Sequence, residues 1–184
     1  MDISKGNILD YGCGIGTDLK FFQQLGFTPF GVDIVPEAIK KTKLALPKFE
    51  ENFHTIPNIP NLKDYFHETF DIIFANQVMY YLNDKDIENI CNQFFNLLKP
   101  GGIFFVTMIS TTNGHYKFIE STKNNLSKVV LKQRLNEIHF MNFKTSQQVL
   151  DIFKKFEKLH LGSYEMTMIE SEGSTAHHIF IGKK

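Results

Sequence analysis

Short apolar runs alternate with stretches of helical periodicity over most of the first 110 positions of the chain. Such alternation marks strands joined by crossover helices in an open, mostly parallel sheet. Residues 7–11 and 28–33 read as the first two strands, with a helix over 17–25 between them. Pro36 suits the first turn of a second helix running to 46, because its missing N–H is not needed there. A third strand is expected near 52–56. A fourth, at 70–76, leads into a helix in which Ile87, Ile90, Cys91, Phe94, Leu97 and Leu98 recur at helical spacing. Pro100-Gly101-Gly102 breaks that pattern, and the apolar run at 103–109 predicts a strand buried on both faces.

Beyond Ser110 the rhythm changes. Residues 111–144 are polar and show no clear strand and at most one weak helix, around 126–135, so an insertion over one edge of the sheet is expected there. The pattern then resumes with a helix at 146–156, whose apolar face is Val149, Ile152, Phe153 and Phe156, and with strands near 158–169 and 176–181. The turn at 170–174 is too short for a parallel return, which needs a dozen or more residues, so these two strands must be antiparallel. The expected fold is α/β: a doubly wound, mostly parallel sheet with helices on both faces and a terminal antiparallel strand pair. We read residues 1–184 as one domain, with 111–144 covering the substrate side.

The most informative segment is Ile8-Leu9-Asp10-Tyr11-Gly12-Cys13-Gly14-Ile15-Gly16, an apolar strand entering a glycine-rich turn that opens a helix. Glycines there permit positive φ and let a ligand approach the backbone, and the helix start offers free N–H groups. Asp33 stands at the end of the second strand, where a carboxylate can accept the hydroxyl protons of a ribose whose other end rests on the glycine turn. The same carboxylate could instead cap the helix that begins near Pro36.

These segments resemble class I S-adenosylmethionine-dependent methyltransferases, the Rossmann-like family. Residues Asp10 through Gly16 resemble their first motif, and Gly31-Val32-Asp33-Ile34 the segment that holds ribose and adenine. Residues 70–76 resemble their fourth strand and Leu97-Leu98-Lys99-Pro100-Gly101-Gly102 the turn before their fifth. The resemblance implies S-adenosylmethionine as methyl donor, S-adenosylhomocysteine as product, and a small-molecule acceptor methylated on oxygen or nitrogen. It implies a cofactor site drawn from Asp10, Gly12, Cys13, Gly14, Gly16, Asp33, Ile34, Asn58, Asn76 and Gln77. Asn58 stands in for an acidic residue that the family often places after its third strand. Only six residues precede Asn7, which leaves open what covers the cofactor from that side.

Methyl transfer asks for little acid–base machinery, because alignment of the nucleophile supplies much of the rate. Tyr80 and Tyr81 follow the fourth strand and are candidates for lining the methyl site, Tyr81 also as a catalytic group. His115, Tyr116, His139 and His160 are candidate bases for an acceptor that must lose a proton. His115 and Tyr116 are the best placed, just after the fifth strand, so His115 is taken with Tyr81 as the catalytic pair. His177 and His178 flank the last strand, too far along the sheet to favour.

Composition narrows the picture. Apolar residues are 42% and charged residues 22% of 184, ordinary for a globular protein, and net charge is zero. No apolar run approaches a membrane span, no signal peptide opens the chain, and Cys13 and Cys91 show neither metal-ligand nor disulfide spacing, so a cytoplasmic protein without a metal is expected. The stretch 115–160 is net basic, with Lys117, Lys123, Lys128, Lys132 and Arg134, which suggests an anionic acceptor or a solvated face. Arg134 is the single arginine, which argues against nucleic acid as a partner. A nicotinamide dehydrogenase would want a small residue where Thr17 stands, and a domain that binds a cofactor or partner without catalysis is the rival from another class.

Overall fold

A computed structural model describes residues 5–170 and 173–184, apart from the side chains of Gln133, Met168 and Ile169. In chain order, β1 (Asn7–Tyr11), α1 (Thr17–Gln24), β2 (Thr28–Asp33), α2 (Pro36–Ala45), β3 (Phe53–Thr55), β4 (Phe70–Ala75), α3 (Asp84–Leu97) and β5 (Leu98–Ile109) build the expected alternation. Three further strands, β6 (Ile119–Lys123), β7 (Leu126–Leu131) and β8 (Glu137–Met141), precede α4 (Ser146–Ile152), β9 (Glu157–Ile169) and β10 (Gly173–Lys183). Seven strands form the main sheet in the order β3-β2-β1-β4-β5-β10-β9, and β6-β7-β8 form a separate small sheet. The first five strands of the main sheet are parallel, and β10 runs antiparallel to both β5 and β9. The final hairpin is therefore antiparallel as expected; of its turn, Ser171 and Glu172 lie outside the described residues.

Local chemistry sets the boundaries. Pro36 occupies the first turn of α2 behind Val35 as N-cap, and Asn83 caps α3 by accepting the Asp86 N–H at 3.0 Å. Thr145 and Gln148 form a reciprocal capping box at the start of α4. That helix stops at Ile152 rather than 156, yet Phe153 and Phe156 stay buried, so the apolar face was correct and only its helical extent was overestimated. Their rings pack on Phe104, which also meets Phe94 at 5.5 Å between centroids. Residues of α1 and α2, Leu19 and Ile39, gather with Cys13, Leu46 and Phe53 in a second, smaller core.

The insertion differs most from expectation. Instead of a weak helix over 126–135, β7 fills 126–131 and pairs with β6 on one side and β8 on the other. Asn124 and Asn125, at φ +51° and +64°, form the two-residue hairpin turn between β6 and β7. Positive φ at both central residues is what such a turn demands, and asparagine tolerates it better than most side chains. Val129, Leu131 and Met141 of this small sheet are buried and join the main core. The two ends of the insertion meet: Lys144 donates its N–H to Ile109, and Thr111 donates to the Lys144 carbonyl, at 2.9 and 3.1 Å.

Candidate active site

Strand order reverses between β1 and β4, and in open sheets the crevice at the carboxyl ends of such a pair is where ligands sit. The glycine turn leaves β1 at this point. Its Gly12 and Cys13 N–H groups both donate to the Val32 carbonyl, at 2.8 and 3.0 Å, fastening the turn to β2. Gly12 has φ +83°, and a Cβ there would stand 2.6 Å from Val78, so no side chain fits. Gly14 also has positive φ, and a Cβ on it would meet nothing within 4 Å, which leaves open space above the turn. Gly16 is the N-cap of α1, without a side-chain cap of its own. Cys13 lies beneath the turn, buried, with its Sγ toward Gly31.

A cavity of about 110 Å³ opens beside this turn. Of the residues expected to hold a cofactor, Gly12, Asp33, Ile34 and Asn58 line it, as does Tyr81. Tyr11, Ile56, Val78 and Leu82 complete the wall, and sequence reasoning had not singled them out for it. Asp33 uses both carboxylate oxygens locally: Oδ2 accepts the Gly14 N–H and Oδ1 the Val35 N–H, each at 2.9 Å. It thus serves the entry to α2 and tethers the glycine turn at once, and each oxygen keeps a lone pair for a ligand.

Three carboxylates, those of Asp10, Asp18 and Asp33, gather around the turn. Asp10 is only 3% exposed, and burial, then the neighbouring Asp18 and Asp33, push its carboxyl well above the usual carboxylate range. No ion pair reaches any of these three carboxylates among the described residues.

At the end of β4, Asn76 Oδ1 accepts the Thr107 hydroxyl at 3.1 Å, and Thr107 Oγ in turn accepts the Gln77 N–H at 2.7 Å. This pair holds Gln77 at φ +54°, an uncommon conformation for a side chain without special tolerance. Gln77 Nε2 donates to the Tyr164 hydroxyl on β9 at 3.1 Å. Asn76 and Gln77 stand at the strand end rather than in the wall of the cavity. Tyr80 is buried, its ring 4.6 Å from that of Tyr81, and burial drives its hydroxyl further from ionisation.

The histidines separate clearly. His115 sits in the 3-10 turn Gly114–Phe118, where its N–H donates to Asn113 Oδ1, and neighbouring Tyr116 packs edge-on against Phe143. His139 of β8 pairs with Glu137 at 2.9 Å, and His160 is exposed on β9. His178 is bonded through Nε2 to the Lys144 carbonyl. His177, passed over as too distant, is the correction. Because β10 is antiparallel to β5, His177 lies opposite Ile109 at the carboxyl end of β5, on the ligand side of the sheet. It is 3% exposed and stacked on Tyr164, with ring centroids 5.2 Å apart and an interplanar angle of 19°; Tyr80 lies 5.5 Å away. Neither ring nitrogen has a hydrogen-bond partner among the described residues. Burial, reinforced by His178 and His115, lowers its pKa to about 4. Setting 176–181 antiparallel to 103–109 in the sequence would have placed it.

A glycine turn, a carboxylate at the end of β2 and an apolar cavity at the switch point define an α/β domain built for a nucleotide-like cofactor. Comparison with known proteins gives the family. A methyltransferase-domain family model matches residues 2–157, and the chain belongs to that family. It is 27% identical over 148 residues to the human mitochondrial ubiquinone biosynthesis O-methyltransferase, covering 78% of this chain and 40% of that one. It is 23% identical to the malonyl-[acyl-carrier protein] O-methyltransferase of Hamiltonella defensa, over its whole length and 68% of the relative. The chain thus spans less than half of the human relative. Among solved structures, a SAM-dependent methyltransferase of Methanosarcina mazei superposes with TM-score 0.79 at 19% identity, over 98% of this chain and 93% of that one. The Burkholderia thailandensis 1,6-didemethyltoxoflavin-N1-methyltransferase, with S-adenosylhomocysteine bound, gives TM-score 0.64 at 14% identity, over 98% and 71%. The cofactor of this family is S-adenosylmethionine. No helix among the described residues is long and apolar enough to cross a membrane.

Proposed function

We propose that the chain transfers the methyl group of S-adenosylmethionine to an oxygen or nitrogen atom of a small molecule. The carrying observation is the switch-point cavity, where the glycine turn, Asp33 and the apolar wall of Ile34 and Ile56 converge. Asp33 would accept the ribose hydroxyls, Ile34 and Ile56 would flank the base, and Asn58 would reach its amine. Gly12, Gly14 and Gly16 would keep the backbone clear for the amino-acid portion, and Asp10, buried just before the turn, would answer its positive charge. The bound cofactor supplies a sulfonium whose methyl is already electrophilic, so the protein's task is to orient the acceptor. That acceptor would enter at the carboxyl ends of β4 and β5, bordered by Asn76, Gln77, Tyr81 and His115 and covered by residues 111–144.

The basic stretch lends an anionic acceptor little support, because Lys117, Lys123, Lys132 and Arg134 are exposed and Lys128 pairs with Glu120 at 2.9 Å. Lys144 is buried, but Asp84 neutralises it at 2.6 Å. Two buried, unbridged cysteines suit a reducing compartment such as the cytoplasm.

Calorimetry is expected to show S-adenosylmethionine and S-adenosylhomocysteine binding with NAD inert; tight NAD binding and no response to either sulfur compound would overturn the reading. Asp33→Ala should weaken S-adenosylhomocysteine about tenfold, roughly 1.4 kcal/mol, the scale of one lost charge-assisted hydrogen bond. An unchanged dissociation constant in a folded variant removes Asp33 from the ribose site.

A further inference from the structure

We propose that His177 meets the methyl acceptor, its imidazole edge receiving the hydroxyl or amine hydrogen of the nucleophile and taking up the proton released on methylation. The proposal rests on the methyltransferase reading of the neighbouring cavity. It starts from two buried ring nitrogens that no described residue satisfies. Native proteins leave few such atoms, and each costs stability, so a donor and an acceptor orphaned on one ring call for a partner from outside. Tyr164 and Tyr80 pack against the ring, so an outside partner would have to meet it at its buried nitrogen-bearing edge.

Position agrees with chemistry. His177 stands opposite Ile109 at the carboxyl end of β5, two residues beyond Thr107, which bonds Asn76 at the end of β4. The exposed Gln77–Tyr164 hydrogen bond ties the end of β4 to the strand bearing the stacked tyrosine. A neutral imidazole offers one N–H and one lone pair, which matches a group that both donates and accepts: an alcohol, a phenol, an amine or a ring N–H. A carboxylate acceptor brings no hydrogen for the lone pair and is disfavoured.

The step balances without a further reactant. The acceptor's lone pair forms the new bond to carbon as the carbon–sulfur bond breaks, with that bond's electrons remaining on sulfur. The acceptor's proton passes to the free nitrogen of His177. The groups facing the ring are Tyr80, Tyr164, His178 and His115, none of them a carboxylate, so nothing retains the imidazolium and the proton leaves to water with the product.

The test uses the full chain saturated with S-adenosylhomocysteine. The His177 ring resonance, assigned by its loss in His177→Phe, is followed on adding catechol as a hydroxyl probe, phosphoethanolamine as an amine probe and acetate as a carboxylate control. Catechol or phosphoethanolamine should shift it and acetate should not. His177→Phe or His177→Leu should melt higher than the wild type, since the orphaned nitrogens are gone, with S-adenosylhomocysteine affinity unchanged. For whichever probe the wild type methylates, turnover should fall at least 100-fold. A resonance indifferent to both protic probes, or lower melting in both variants, overturns the proposal. A wild type that binds no S-adenosylhomocysteine overturns the methyltransferase reading instead.

Discussion

Replacing His177 with phenylalanine is expected to remove about 3 kcal/mol of acid sensitivity from the domain's stability. Burial, with His178 and His115 nearby, lowers the native pKa of His177 from 6.5 to about 4. Between these values the unfolded chain binds a proton that the native chain refuses, so stability is fully present above about pH 6.5 and falls as pH drops toward 4. Other groups titrate in the same range, which is why the comparison with His177→Phe matters. His178 and His115 are common to both proteins and largely cancel, while Tyr80 and Tyr164 remain neutral throughout. Urea denaturation at about pH 7.5 and about pH 4 measures the four stabilities. An equal acid loss in both proteins would show that the buried imidazole is not its source.

Asp10→Asn should produce the opposite pair of effects, a more stable empty domain and a weaker cofactor site. The native carboxyl is raised by burial and by Asp18 and Asp33, so its stabilising contribution is present below the unfolded pKa and lost as pH rises through the native one. At neutral pH, above the unfolded pKa, burying this carboxyl therefore costs stability, and the amide relieves that cost. S-adenosylmethionine carries a sulfonium and an ammonium, whose nearby positive charge would favour the ionised carboxyl, and an amide that cannot ionise should weaken its binding by about 1.5–3 kcal/mol, roughly 10- to 150-fold. Thermal melting with and without the cofactor reads both effects. Unaltered cofactor affinity would place Asp10 outside the site's electrostatics, whatever its effect on the empty protein.

Both predictions rest on side chains the sequence treated unequally. Asp10 was legible because it belongs to a local pattern, a strand running into a glycine turn. The same holds for β1 to β5 and their helices, whose apolar positions repeat at short range. His177 was not legible, because its place depends on how β10 pairs with β5, almost seventy positions earlier in the chain. The small sheet failed for another reason. β6 carries one apolar residue, Ile119, and lies mostly exposed, so it shows no alternation, while Leu126, Val129 and Val130 fall at spacings that also suit a helix. The adjacent asparagines 124 and 125 were the available signal, since two residues at positive φ between short runs specify a hairpin.

The meeting of the insertion's ends at Ile109, Thr111 and Lys144 makes it an exchangeable cassette. Because entry and exit are already hydrogen-bonded to each other, a graft of another length adds little closure entropy, about 0.6 kcal/mol for each doubling of the loop. The constraint on such a graft is apolar rather than geometric. Val129, Leu131 and Met141 seal part of the main core, so a replacement must bring its own greasy underside or leave that core wet. Within that limit, acceptor preference can be recoded while the glycine turn and Asp33 stay untouched.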